Sequence, residues 1–223
     1  VISVVIPTLN AAATLPRCLA ALTPATAEGL VTEMVVVDAG SADPTREVAK
    51  AAGATVLTML GGRGPQLAAG CARATAPWLL ALHADTVLRP GWEAAVAEHT
   101  ATRPDAAGWF RLRFDDASLA ADAWSLGVGL RARLGMPYGD QGLLISRGLY
   151  DAVGGYRPLP LMEDVDLARR LGRRRLVGLR AEALTDASKY RRDGWLVRSA
   201  RNCALVARYL AGADPNALAE RYE

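Results

Sequence analysis

The sequence predicts an α/β sandwich of three layers with a mostly parallel central sheet. Apolar, β-branched runs of strand length recur four times up to residue 86, helix-like segments separate them, and each run ends in glycine, proline or short polar residues. Alternation of this kind calls for parallel strands joined by right-handed crossovers, with helices covering both faces. At 223 residues the chain can bury one substantial core without disulfides. Its 51% hydrophobic and 22% charged residues are those of an ordinary globular protein.

The elements follow in order. "VISVVIP" is a β-branched run stopped by Pro7 and reads as a strand buried on both faces. A helix opens at Asn10 or Thr14 and runs to about Leu22, with Pro16 in its first turn, where a missing N–H does no harm. "VTEMVVVD" is a second strand ending at Asp38, Asp43 and Pro44 form the cap and first residue of the next helix, and Gly53 to Leu57 leads into a third strand. A glycine-rich turn at Gly61 to Gly64 precedes a helix to about Thr75, and the fourth strand ends at His83, Ala84, Asp85 and Thr86. Beyond it, Pro90-Gly91 opens a helix to about Thr100, Gly108 to Phe114 alternates like a half-exposed strand, and Ser118 to Arg133 is helical. "YGDQGLLISR" is a loop feeding a short strand, a helix begins near Met162, "RLVGLRA" is a final strand, and Trp195 to Leu210 is a long amphipathic helix. The organisation expected is one domain over 1–223: a nucleotide-binding half at 1–86, an acceptor and catalytic half at 87–194, and a C-terminal amphipathic helical tail at 195–223.

Composition excludes several classes. Cys18, Cys71 and Cys203 are odd in number, far apart and form no CxxC pair, so they read as reduced, buried thiols of a cytoplasmic protein rather than zinc ligands or disulfides. A net charge of +3 carries no nucleic-acid argument. The arginines of 169–175 and 189–208 nevertheless point to an anionic ligand or surface. No stretch approaches the roughly 18 consecutive apolar residues of a spanning helix, and the sequence opens on a strand rather than a basic leader. For the Trp195 to Leu210 helix, packing on the sheet or on a second subunit is the plainer expectation, and a peripheral membrane contact is the sharper one.

In an open parallel sheet, ligands bind outside the carboxyl ends of the strands. Four ends deliver polar residues there: Thr8 and Asn10, Asp38 and Ser41, the Gly61 to Gln66 turn, and His83 with Asp85. One polar strand end is ordinary; four on one edge point to a site. Gly62 and Gly64 invite a dinucleotide reading, but Leu67 takes the third glycine position and the turn follows the third strand rather than the first. The turn still suits an anion, because free N–H groups and Arg63 face the same way. Asp85 is a hard oxygen ligand, and Mg²⁺ takes only one or two protein carboxylates when phosphate oxygens complete its shell. His83 either ligates directly, which tilts preference toward Mn²⁺, or orients a ribose or phosphate. Glu163 and Asp164 sit in a helical first turn, where neighbours diverge by about 100°, so only one faces a given cleft and could act as general base. Asp140 and Gln141 in "MPYGDQG" hold a hydroxylated ligand or simply cap and turn.

Taken in order, "SVVIPTLN", "VVVDAGSADPT", "GRGPQLAAG", an apolar strand ending in a short acidic motif, and "LMEDVDLARRL" resemble a family-2 glycosyltransferase with the A-type nucleotide-sugar fold. "PYGDQGLLISRGLYDAVGGY" resembles the small bacterial branch associated with radical-SAM and selenium-domain gene clusters. The resemblance implies inverting transfer of a sugar from a UDP- or GDP-sugar to a hydroxyl acceptor, assisted by Mg²⁺ or Mn²⁺. Pro7, Thr8, Asn10 and Asp38, with Ser41, match positions that hold the nucleoside, and Arg63 and Gln66 match the turn beside base and phosphates. His83 and Ala84 occupy the donor-binding start of the DxD motif. Asp85 matches its last acid, which reaches the metal, with His83 a second candidate ligand. Asp164 matches the catalytic base; Glu163, Asp140 and Gln141 fall near donor sugar and acceptor.

This chain departs from the pattern at His83, where the family has Asp, and it has no His after His99 to serve as a further metal ligand. Two alternatives follow. A nucleotide-sugar-binding protein without turnover is motivated by His83, and a sugar-phosphate nucleotidyltransferase is disfavoured because "PTLNAAATLP" lacks a phosphate loop.

Overall fold

The apolar runs form the middle of an eight-stranded sheet in a computed structural model that describes residues 1–219. The strands are β1 Ile2–Thr8, β2 Val31–Asp38, β3 Thr55–Thr58, β4 Trp78–Ala81, β5 Thr86–Leu88, β6 Ala107–Phe114, β7 Leu143–Ser146 and β8 Leu176–Thr185. The helices are α1 Leu15–Ala20, α2 Thr23–Ala27, α3 Thr45–Ala51, α4 Arg63–Arg73, α5 Trp92–Thr102, α6 Leu119–Arg133, α7 Arg147–Ala152, α8 Glu163–Leu171, α9 Ser188–Asp193, α10 Trp195–Leu210 and α11 Pro215–Ala219. Sheet order is β3-β2-β1-β4-β7-β6-β8-β5. β1 pairs in parallel with β2 and β4, and β2 with β3, so the first four strands carry their carboxyl ends to one edge. The sheet then becomes mixed: β7 runs antiparallel to β4 and β6, β8 runs parallel to β6, and β5 runs antiparallel to β8.

All of β1 is buried, and the period of two along a strand divides it between two cores. Ile2, Val4 and Ile6 meet Leu15 and Leu19 of α1 and Trp92 and Val96 of α5 on one face. Val5 meets Leu67 and Cys71 of α4 and Leu167 and Leu171 of α8 on the other. Helices therefore cover both faces, which gives the three layers expected.

Several local expectations are corrected. Gly108 to Phe114 is an interior strand in which only Arg111 and Arg113 escape burial, because β7 and β8 flank it and helices cover it. β4 stops at Ala81, and Thr86 opens the short strand β5, so His83 to Asp85 form a turn between two strands. β8 extends to Thr185, past the end expected. α3 starts at Thr45, one residue late, and the Asp43 Oδ1 accepts the Thr45 N–H at 3.1 Å. Cys18 and Cys71 are buried, but Cys203, on α10, is exposed.

α10 packs through Leu205 and Val206 on Leu161, Met162 and Val165, and through Trp195 on Phe114 and Tyr190, while Leu196 and Val197 face outward. Residues 220–223 of the expected tail lie outside the described residues. Among the described residues, no helix is long and apolar enough to cross a membrane.

Candidate active site

The first two strand ends lock to each other. Asp38 is buried at the end of β2, where its Oδ1 accepts the Gly40 and Ser41 N–H groups at 3.0 and 2.9 Å. Its Oδ2 accepts the Ser41 and Thr8 hydroxyls at 2.5 and 3.1 Å. Burial pushes this carboxyl up, but the bonds from Ser41, Gly40 and Thr8 outweigh it and hold Asp38 below its ordinary range. Asn10 takes a positive φ of 50° so that its N–H reaches Ser41 Oγ at 2.8 Å and its Oδ1 accepts the Ala42 N–H at 2.9 Å. Pro7 is buried in register with Val37, and Gln66 Nε2 donates to Thr8 O and Val37 O at 2.8 and 2.6 Å. Thr8, Asp38 and Gln66 thus spend their polar atoms within the protein and make a rigid floor.

The glycine turn differs from expectation. α4 begins at Arg63, and the Gly64 N–H donates to Leu159 O at 3.1 Å. A Cβ on Gly64 would lie 2.3 Å from Leu159 O, and one on Gly62 2.6 Å from Pro160 O. The glycines therefore admit the 157–160 backbone, which fills the place where an anion was expected. Gly64→Ala is expected to cost about 1–3 kcal/mol of stability by overpacking, seen as a lower urea midpoint at unchanged slope. Wild-type stability would show that the 157–160 backbone gives way to a methyl group.

A cavity of about 160 Å³ is lined by Arg63, His83, Asp85, Asp140 and Asp164 among others, but not by Thr8, Asn10, Asp38, Ser41 or Gln66. His83 Nε2, Asp85 Oδ1 and Asp140 Oδ1 are buried with no hydrogen-bond partner. A buried polar atom without a partner costs about 1–3 kcal/mol, so three of them on residues that line one cavity make this wall a candidate ligand site. Asp164 Oδ2 accepts the Gly139 N–H and Oδ1 the Val165 N–H, both at 2.7 Å, which holds the carboxylate at the start of α8. A Cβ on Gly139 would lie 2.5 Å from His83 Nε2 and 3.3 Å from Asp164 Oδ2, so any other residue here would displace the His83 ring. Burial pushes His83 down to about 4, and the Arg63 charge adds to it, so the imidazole is neutral at pH 7. Asp140 is pushed up to about 6 by burial, against the pull of Arg131 and with the repulsion of Asp164 and Asp85. Ala84 is buried below the turn.

Glu163 turns the other way. It is fully buried with Oε1 3.0 Å from Arg63 Nε and lines a smaller recess of about 20 Å³. Burial raises it to about 7, opposed by Arg63 and assisted by Asp164. Gln141 also leaves the cavity: its amide donates to Phe110 O at 3.2 Å, and its Oε1 accepts from Tyr138 N at 3.3 Å and Arg131 Nη2 at 3.4 Å. Of the pair in "MPYGDQG", Asp140 faces the cavity and Gln141 caps the turn.

The model of glycosyl transferase family 2 matches residues 3–156, the stretch that contains the first four strands and the turn at Asp85. The chain belongs to glycosyl transferase family 2. Structures of glucosyl-3-phosphoglycerate synthase from Mycobacterium tuberculosis are similar to this glycosyltransferase. The complex with Mn²⁺, UDP and glucosyl-3-phosphoglycerate has a TM-score of 0.56 at 22% identity, over 83% of this chain and 70% of that one. The complex with Mn²⁺, UDP-glucose and phosphoglyceric acid gives 0.56 at 24%, over 79% and 68%, and that with Mg²⁺ and UDP gives 0.57 at 23%, over 83% and 69%. At such identities the likeness is one of fold, the A-type nucleotide-sugar transferase fold. No curated protein sequence matches.

Around this glycosyltransferase's cavity also stand Tyr138, Asp186, Tyr190 and Asn202, which no motif announces, with Lys189 and Arg198 from the basic stretch 189–208. Most follow the end of β8, which sequence reading stopped short of Thr185; "TDASKY" there is a further polar strand end that a longer strand would have exposed. Of the arginine-rich C-terminal stretch, Arg198 reaches the cavity, ion-paired with Asp193 at 3.3 Å.

A divalent cation fits these residues. Among the described residues no three His, Cys, Asp or Glu converge as a complete ligand set. Yet Asp85 and Asp140, each with a buried, unpartnered oxygen, line a cavity where acids repel one another, which an ion sharing its shell with water and phosphate oxygens would relieve.

Proposed function

We propose that this family-2 glycosyltransferase moves a sugar from a UDP- or GDP-sugar to a hydroxyl acceptor with inversion at the anomeric carbon, using Mg²⁺ or Mn²⁺. The observation that carries this reading is that His83, Asp85 and Asp140, each with a buried, unpartnered polar atom, line one cavity together with Asp164 beyond the carboxyl end of β4. The structural neighbours support it, because they bind UDP or UDP-glucose with Mn²⁺ or Mg²⁺. That all eight strands share one sheet supports a single domain, with nucleoside held over 1–86 and acceptor over 87–194.

Asp85 would hold the cation, with Asp140 and His83 beside it; when bound, the cation supplies positive charge to the departing diphosphate. Arg63, Lys189 and Arg198 on the cavity wall add to that potential. Asp164 takes the proton of the acceptor hydroxyl. The oxygen attacks the anomeric carbon opposite the diphosphate; the new C–O bond forms as the old one breaks, and the electron pair leaves with the diphosphate. The locked Thr8–Asp38–Ser41 floor presents a preformed surface to the nucleoside.

A panel of UDP- and GDP-sugars tests this reading through nucleoside diphosphate release with Mn²⁺ and with EDTA. Metal-dependent release from at least one donor is expected, and NMR of the product reads the anomeric configuration. Binding without release from any donor would overturn the reading in favour of a binding protein, and pyrophosphate release from a nucleoside triphosphate in favour of a nucleotidyltransferase.

A further inference from the structure

A second cleft of about 430 Å³ opens between α6 and α10 and joins the catalytic cavity, with Tyr138, Asp140, Tyr190 and Asn202 lining both. Away from that junction its wall is mostly apolar, formed by Ala123, Trp124, Gly127 and Val128 with Cys203, and Ser199 there accepts the Trp124 indole N–H. Its polar end is different in kind. There Asp140 Oδ1 and Arg131 Nε are buried without hydrogen-bond partners, and the Arg131 guanidinium lies 3.2 Å over the Tyr138 ring.

Gly127 explains how the room arises. It lies inside a helix, where glycine costs about 1 kcal/mol relative to alanine. No close neighbour demands the missing side chain, since a Cβ there would meet nothing within 4 Å. What the glycine does is leave the cleft open beside Trp124.

We infer that this cleft takes the apolar body of the acceptor: an amphipathic alcohol whose branched or aromatic part lies between α6 and α10 and whose hydroxyl emerges at Asp140, toward Asp164. The word acceptor rests on the glycosyl-transfer reading above; the binding itself does not. A small charged acceptor such as phosphoglyceric acid, which the structural neighbour binds, would leave Trp124 and Val128 uncovered. An apolar body buries them, and each methylene placed there tightens binding about fourfold. In the transfer step the alcohol oxygen bonds to the anomeric carbon, its proton passes to Asp164, and the bond to the diphosphate breaks with its electron pair.

The test titrates the whole protein with geraniol, 3-phenylpropanol, glycerol and 3-phosphoglycerate, following the Trp124 indole N–H resonance, assigned with Trp124→Phe. Geraniol and 3-phenylpropanol are expected to shift it to saturation, and glycerol and 3-phosphoglycerate to leave it unmoved. Gly127→Leu, which fills the cleft and suits a helix, is expected to weaken geraniol binding at least tenfold. It should lower the kcat/KM ratio of geraniol over glycerol by a similar factor with whichever donor turns over. The inference is overturned if neither apolar alcohol moves Trp124, or if Gly127→Leu binds geraniol as tightly as the wild type. Geraniol binding that Gly127→Leu weakens, with no release from any donor, would uphold the cleft and remove the transfer reading. Donor turnover without preference for apolar alcohols would do the reverse.

Discussion

Asp164→Asn is expected to lower the rate of sugar transfer by about 10²–10⁴-fold, the usual worth of a positioned general base, while donor affinity stays near its wild-type value. The substitution is close to isosteric. An Asn Oδ1 can still accept the Gly139 N–H that Asp164 accepts at 2.7 Å, at the loss of the Val165 N–H bond within the first turn of α8, so the approach of α8 to the 138–141 turn should survive. What is lost is the capacity to take a proton from the acceptor hydroxyl. Single-turnover release of nucleoside diphosphate, beside calorimetric titration with UDP and GDP, separates the two. A rate unchanged by the substitution would take Asp164 out of the base role, and a lost donor affinity would make it a binding residue instead. Glu163 is a poor substitute: it is fully buried against Arg63 and lines only the recess behind.

How far the sequence reaches depends on whether a residue's partners are near it in the chain. β1 was legible because burial on both faces leaves a continuous β-branched run, and α6 because Ser118 caps it with its own hydroxyl three residues away. β5 has only three residues and exists because it pairs with β8 almost a hundred positions later, so no periodicity announces it. Gly64 misleads for a physical reason: a phosphate and a crossing backbone both require a missing Cβ, and here the crossing backbone is Leu159. Gln141 looked like a ligand contact in a polar loop, but its amide answers the carbonyl of Phe110, 31 residues away. Asp38 is subtler still, since its position at a strand end was legible while the four hydrogen bonds that occupy its carboxylate were not. The cavity wall formed by Lys189, Tyr190, Arg198 and Asn202 is assembled by chain return alone, which a motif read in one window does not contain.

Asp85→Ala should remove the dependence of nucleotide binding on Mn²⁺, lowering UDP or GDP affinity in its presence by about 100-fold or more, at least the loss typical of disturbing a metal ligand's support. Asp85 lines the cavity and its Oδ1 is buried without a partner, so deleting it breaks no side-chain hydrogen bond of that oxygen, and a fall in affinity reports the ligand site rather than the fold. Titration with and without Mn²⁺ reads it directly, and an undiminished Mn²⁺ effect would place the ion elsewhere. The companion change is His83→Asp. Burial, with the Arg63 charge behind it, pushes His83 down to about 4, so at neutral pH the site holds an uncharged imidazole where an acid would bring a second hard oxygen. Aspartate is shorter than histidine and clears the Gly139 backbone that approaches Nε2 so closely. His83→Asp is therefore expected to keep or raise metal-dependent affinity and to shift preference from Mn²⁺ toward Mg²⁺, because oxygen ligands suit the harder ion. Loss of binding in His83→Asp with Mn²⁺ and Mg²⁺ alike would mean that Nε2 hydrogen-bonds the nucleotide itself, and that Asp85 and Asp140 already suffice for the cation.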